Sequence, residues 1–212
     1  MALIGLDGPT MAIRMTLTLN AAMASIQRYW AKAAMTDFQI EAVTRDNWPD
    51  LETLFEGRGG PKYCWCMAWR PMENRTGADN AQRKRALHSR VESGTPIGLL
   101  GYAQGEPVAW CSVAPRETFT RLRDDQQEED GVWSVTCFFV RRDHRGKGLS
   151  GRMLGAAVDL ARRSGARALE GYPVDPDSPS YRFMGFLALF QARGFHEVAR
   201  VGSRRHVLRL EL

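Results

Sequence analysis

Residues Ser134 to Gly151, S-V-T-C-F-F-V-R-R-D-H-R-G-K-G-L-S-G, constrain the fold more than any other stretch. Val135 to Val140 is an apolar, β-branched and aromatic run, which predicts a buried strand. Arg141 to Arg145 is a charged turn, and Gly146 and Gly148 follow it. Leu149, Met153, Leu154, Ala157, Val158 and Ala161 then recur at helical spacing and predict an amphipathic helix from about Leu149. A strand feeding a glycine turn and a helix N-terminus makes an anion site. The first amides of a helix have no partner within it, and the helix dipole favours negative charge there. Arg141, Arg142, Arg145 and Lys147 add cationic side chains at the same place. The ligand implied is a phosphate-bearing cofactor.

Three phosphate motifs compete for this stretch. A P-loop needs a Lys-Ser/Thr pair after its glycine, and none stands at that spacing. The dinucleotide fingerprint G-x-G-x-x-G is met literally by Gly146, Gly148 and Gly151, with Glu170 about 20 residues on. In that fingerprint the first glycine caps the strand, whereas here Arg141 to Arg145 intervene. Too little chain follows for a doubly wound sheet. The third motif is a resemblance. V-R-R-D-H-R-G-K-G-L-S resembles the R/Q-x-x-G-x-G/A signature of the GNAT family of N-acetyltransferases, with Arg145, Gly148 and Ser150 on the signature positions. Arg142 replaces the common Pro of that signature, and Ser150 replaces its final Gly or Ala. L-F-Q-A-R-G-F at 189–195 resembles the family's L-Y-x-x-x-G-F block.

The resemblance implies acetyl-CoA as co-substrate and an amine acceptor. Its pyrophosphate would lie on the loop Arg145, Gly146, Lys147, Gly148, Leu149 and Ser150, with Arg141 nearby, and its pantetheine arm along Phe138, Phe139 and Val140. Phe190 stands where family members often carry a Tyr that protonates the leaving thiolate, and a phenyl ring has no proton to donate. Tyr172 and Tyr181 are the replacement candidates for that acid. Glu170 is the candidate base, and pairing with one of the many arginines is its bland alternative. Cys137 is a conceivable covalent nucleophile, though direct attack in a ternary complex is the family's usual chemistry. The acceptor expected is a small-molecule primary amine. The alternatives are a non-catalytic acyl-CoA sensor and a protein or peptide N-acetyltransferase.

The rest of the chain fits one domain. Its 212 residues suit a single core. No apolar run approaches the roughly 18 residues of a membrane span. The net charge of +5 suits a polyanionic ligand, but the basic residues are not clustered among aromatics, so no nucleic acid or membrane partner is expected. Nothing in the four cysteines suggests a secreted disulfide scaffold, so the cytoplasm is the expected compartment. Homodimers are common in the resembled family, and no residue here demonstrates one.

Residues 1–34 read as an extension outside the core, or as an upstream start, with a targeting peptide as the alternative. Residues 35–212 read as a single GNAT-like α/β (α+β) domain: a central mixed, mostly antiparallel sheet of about six to seven strands flanked by about four helices. The order expected is β-α-α-β-β-β-α-β-α-β-β, with the last helix over Met184 to Arg193 and Gly194 as its C-cap. Tyr63-Cys64-Trp65-Cys66-Met67-Ala68-Trp69 falls between the first two helices. Two thiols at that spacing without a nearby His fall short of a metal site, so no metal is expected. Trp65 and Trp69 are expected to wall the acceptor pocket, with an aromatic core plug as the bland reading. Asp175 is expected on the acceptor side at the end of the fifth strand.

Overall fold

A computed structural model describes residues 38–120, 122 and 129–212. The predicted extension at residues 1–34 lies outside them. The elements are β1 (Phe38–Ala42), α1 (Trp48–Glu56), α2 (Asn80–Glu92), β2 (Leu99–Ala103), β3 (Glu106–Pro115), β4 (Val132–Val140), α3 (Leu149–Arg163), β5 (Ala168–Gly171), α4 (Leu187–Gln191), β6 (His196–Val201) and β7 (Arg205–Glu211). This is the order read from the sequence, and the seven strands form one mixed sheet in the order β1-β2-β3-β4-β5-β7-β6.

Local chemistry sets the boundaries. Asp79 accepts the Gln82 amide while the Gln82 side chain accepts the Asp79 amide, a reciprocal cap that starts α2. Gln104 and Gly105 both take positive φ, the geometry of a two-residue hairpin turn, and β2 folds back on β3. The buried face of α3 is Leu149, Met153, Leu154, Ala157, Val158 and Ala161, the stripe its spacing predicts, and it packs across β3 and β4.

The two faces of β4 serve different layers. Cys137 and Phe139 turn towards α1 and join Trp48, Phe55, Trp65 and Trp110 in one aromatic core. Phe138 turns the other way, as strand alternation requires, and meets Phe190 of α4. β4 and β5 run parallel, and they part early. Their ladder ends at Val135 opposite Gly171, yet β4 runs on to Val140. On the other side of β4, Ser112 pairs with Cys137 and Val113 with Val135, so Thr136 is an extra residue in a bulge.

The last helix is shorter than expected. It covers Leu187–Gln191, after a separate 3-10 turn at Arg182–Met184. Val174 donates to the Gly185 carbonyl at 3.0 Å and accepts from the Leu187 amide at 3.2 Å. That bridge holds residues 185–187 extended, so no helix can run through them. Gly194, at φ 82, follows the observed C-cap Ala192 by two residues.

Candidate active site

The glycine turn is open. Gly146 and Gly148 have φ of 75 and 71, in the left-handed region that favours glycine, and a Cβ at either would meet nothing within 4 Å. Gly148 is the N-cap of α3 and has no side chain to occupy the helix end. Among the described residues, the amides of Gly146, Lys147, Gly148, Leu149 and Ser150 have no acceptor in the chain, whereas those of Arg145, Gly151 and Arg152 do. Five neighbouring amides without an acceptor at a helix N-terminus have the geometry expected of an anion site.

The cations around the turn do not act alike. Arg141 is held by Glu106 at 2.9 Å and Asp143 at 2.7 Å, so its charge is largely spent within the protein. The same contact holds the Asp143 carboxyl well below the usual carboxylate range. Arg145 donates from Nε to the Val140 carbonyl at 3.0 Å and ties the turn to the strand end. Arg142 and Lys147 are exposed.

Beside the turn, residues 136–140 of β4 have no ladder partner on the β5 side, and Phe138, Phe139 and Val140 are partly open. A cleft of about 1190 Å³ also opens at this end of the sheet, between Leu54 and Gly57 on one side and Phe139, Arg141 and Arg145 on the other. It stops short of the amides at 146–150 and does not reach Glu170, Tyr172 or Tyr181.

Glu170 and Tyr172 are both sealed from solvent. Tyr172 Oη donates to Glu170 Oε2 at 2.9 Å and lies 3.1 Å from Ser134 Oγ. Arg116 and Arg209 reach Glu170 Oε1 at 3.3 and 3.5 Å. Burial, then the neighbouring Glu170 charge, pushes the Tyr172 hydroxyl well above its ordinary value, so it stays a proton donor. Tyr181 is different. It is 36% exposed, takes a left-handed φ of 59, and sits 6.0 Å from the Trp69 ring. The Arg205 guanidinium lies over both rings, at 4.7 and 5.4 Å.

The structure brings some predicted residues together and separates others. Phe139, Arg141 and Arg145 line one cleft, and Arg145 ties the glycine turn to the strand end at Val140. Trp69 and Tyr181 meet at the side of the 3-10 turn that packs against β4. Trp65 is placed elsewhere: it is 2% exposed and enclosed by Trp48 and Phe55, inside the core. Left-handed φ values at Trp65 and Cys66 turn this segment inward. Phe190 is fully buried against Phe138 and Phe195. Asp175 is half-exposed, 3.2 Å from His206 Nε2, and Glu197 holds the other ring nitrogen at 2.9 Å. The sequence reading missed the partners of Glu170. Ser134 and Glu170, polar residues inside apolar strands, were the available signal, because a buried polar group needs a partner.

A profile of the GNAT acetyltransferase family matches residues 46–186. The chain belongs to the GNAT family. An L-methionine sulfoximine/L-methionine sulfone acetyltransferase from Pseudomonas aeruginosa is 29% identical over 96 residues, 45% of this chain and 51% of that protein. The GNAT chain thus spans about half the length of the curated relatives it matches. Two solved structures share the fold. PaiA N-acetyltransferase from Thermoplasma acidophilum, in complex with coenzyme A, superposes with a TM-score of 0.52 at 11% identity, covering 82% of this chain and 99% of that one. Ribosomal-protein-alanine N-acetyltransferase from Brucella melitensis gives 0.51 at 19% identity, covering 82% and 99%. Among the described residues, no three His, Cys, Asp or Glu side chains gather as a metal-holding group, and no helix is long and apolar enough to cross a membrane.

Proposed function

We propose that this GNAT chain moves an acetyl group from acetyl-CoA to the primary amine of a small-molecule acceptor, by direct attack in a ternary complex. The observation that carries the reading is the run of free amides from Gly146 to Ser150 beside the unpaired edge of β4. The diphosphate lies across those amides at the start of α3, with Arg142 and Lys147 adding charge. The pantetheine arm extends along residues 136–140, using main-chain groups that β5 leaves unpaired. An amide near Val140 polarises the thioester carbonyl.

The amine attacks in its neutral form, the C–S bond breaks, and the departing thiolate takes up a proton. Tyr181 is the acid of this reading, since its phenol is open while that of Tyr172 is sealed. Glu170 and Tyr172, fixed by Ser134, Arg116 and Arg209, position the strand ends and set the field beneath the reacting groups. Trp69 borders the acceptor side, next to Tyr181. The relative that acetylates methionine sulfoximine supports a small acceptor, and the neighbour solved with coenzyme A supports the cofactor.

The phenyl ring at Phe190, where family members often carry Tyr, favours a second reading as an acyl-CoA sensor. Thiol release from acetyl-CoA across a panel of primary amines separates the two. Transfer predicts release with at least one small amine. Acetyl-CoA binding without release from any amine makes the chain a sensor, and no binding at millimolar acetyl-CoA ends both readings.

A further inference from the structure

The segment between α1 and α2 carries two thiols that acyl transfer leaves unused. The Cys66 sulfur accepts the indole N–H of Trp110 at 3.1 Å, and Cys137 of β4 lies in the same buried cluster. Arg70 is fixed alongside, donating to the Cys66 carbonyl at 3.0 Å and to Ser112 Oγ at 3.0 Å. The neighbouring Cys137 thiol, then the Arg70 charge and the Trp110 N–H, hold the Cys66 thiol below its ordinary value, while that of Cys137 is raised. A sulfur that accepts an N–H bond beside a guanidinium is stabilised as thiolate.

The backbone is bent to make this contact. Trp65 and Cys66 take φ of 44 and 50, a conformation that costs a non-glycine residue about 1–2 kcal/mol each. Cys66 and Cys137 are buried, at 6% and 8% exposure, and Cys111 is fully sealed. Cys64 is more open, but burial, then the neighbouring Cys66, pushes its thiol up to about 11, so it stays protonated.

We propose that Cys66 and Cys137 form an oxidisable pair, a modification site for small hydroperoxides, in which the Cys66 sulfur reacts first and Cys137 closes a disulfide. In the first step the Cys66 thiolate attacks a peroxide oxygen, the O–O bond breaks, and hydroxide or alkoxide leaves with a proton, giving a sulfenic acid. The Cys137 sulfur then attacks the Cys66 sulfur, an S–S bond forms, and the sulfenic oxygen leaves as water with the Cys137 proton. In sum, two thiols and one hydroperoxide give one disulfide, one water and one alcohol, or two waters from hydrogen peroxide. Closure to an S–S distance of about 2.05 Å requires movement. The stretch between Glu56 and Asn80, free of helix and strand, supplies it. The bond would tie this stretch to β4 at the residue after the Thr136 bulge.

The test reads mass and does not depend on acetyl transfer. The reduced full-length protein is treated near neutral pH with hydrogen peroxide, alkylated at intervals, digested and mapped. The expected result is a linked Cys66–Cys137 peptide pair that dithiothreitol separates, with Cys66 consumed at least about tenfold faster than the more exposed Cys64. Cys111 should be alkylated only after denaturation. In Cys137→Ser, Cys66 should stop at a sulfenic acid that dimedone traps. Oxidation of Cys64 ahead of Cys66, a Cys64–Cys66 link, or recovery of all four thiols unchanged would overturn the proposal. The mapping of the unaltered protein decides the matter even where Cys137→Ser fails to fold.

Discussion

Gly148→Asp is expected to weaken acetyl-CoA binding about a hundredfold or more while leaving the domain folded. The space for the new side chain exists, since a Cβ there meets nothing within 4 Å. The left-handed φ of 71 costs about 1 kcal/mol, and Asp tolerates that region and makes a good N-cap, so stability changes little. The charge is what matters. A carboxylate about 4 Å from a diphosphate oxygen is repelled by roughly 4 kcal/mol at an intermediate dielectric, which salt and exposure reduce to about 3 kcal/mol. That corresponds to about a hundredfold in dissociation constant. Gly148→Ala adds the Cβ without the charge and should lose far less. Calorimetric titration with acetyl-CoA, alongside a thermal melt, checks both. Unchanged binding by a folded Gly148→Asp protein would remove the diphosphate from this turn.

Gly171→Ala is expected to destabilise the domain by about 3 kcal/mol, with a melting temperature lower by about 9 °C. A Cβ at Gly171 would lie 2.1 Å from Phe190 Cε1, and Phe190 cannot swing away, because Phe138 and Phe195 enclose it. Shortening the ring in the double variant Gly171→Ala/Phe190→Leu should recover more than half of the loss, a coupling expected of residues in contact. Phe190→Ala alone leaves a cavity and should cost about 3–5 kcal/mol, with a smaller effect on turnover of the protein that remains folded. A large loss of turnover in a folded Phe190→Ala protein would contradict the packing role given to that ring.

The sequence was legible where the deciding forces are local. The stripe on α3 is a periodicity, and all six of its predicted residues are buried. The Gln104-Gly105 turn and the Asn80 start of α2 follow from turn and capping chemistry within a few residues. The open turn at 146–148 follows from two glycines before an amphipathic helix. What stayed hidden depends on distant residues. The bridge from Val174 to Phe186 shortens α4, and periodicity within 184–193 cannot register it. Trp65 lies in the core because two left-handed residues fold its loop inward, and nothing in C-W-C specifies them. Glu170 meets Arg116 across 54 positions of chain, so its partner could not be picked from so many arginines.

The central claim concerns five main-chain amides, and amide chemical shifts read it directly. Titration of the ¹⁵N-labelled protein with coenzyme A should move the Gly146, Lys147, Gly148, Leu149 and Ser150 resonances downfield, as amides do when they donate to phosphate oxygens. Pantetheine, which lacks the diphosphate, should leave those five in place and shift Phe138 to Val140. If coenzyme A binds while the five stay unmoved, and the changes gather instead around Leu54, Gly57 and Glu106 in the neighbouring cleft, the account of this site is wrong.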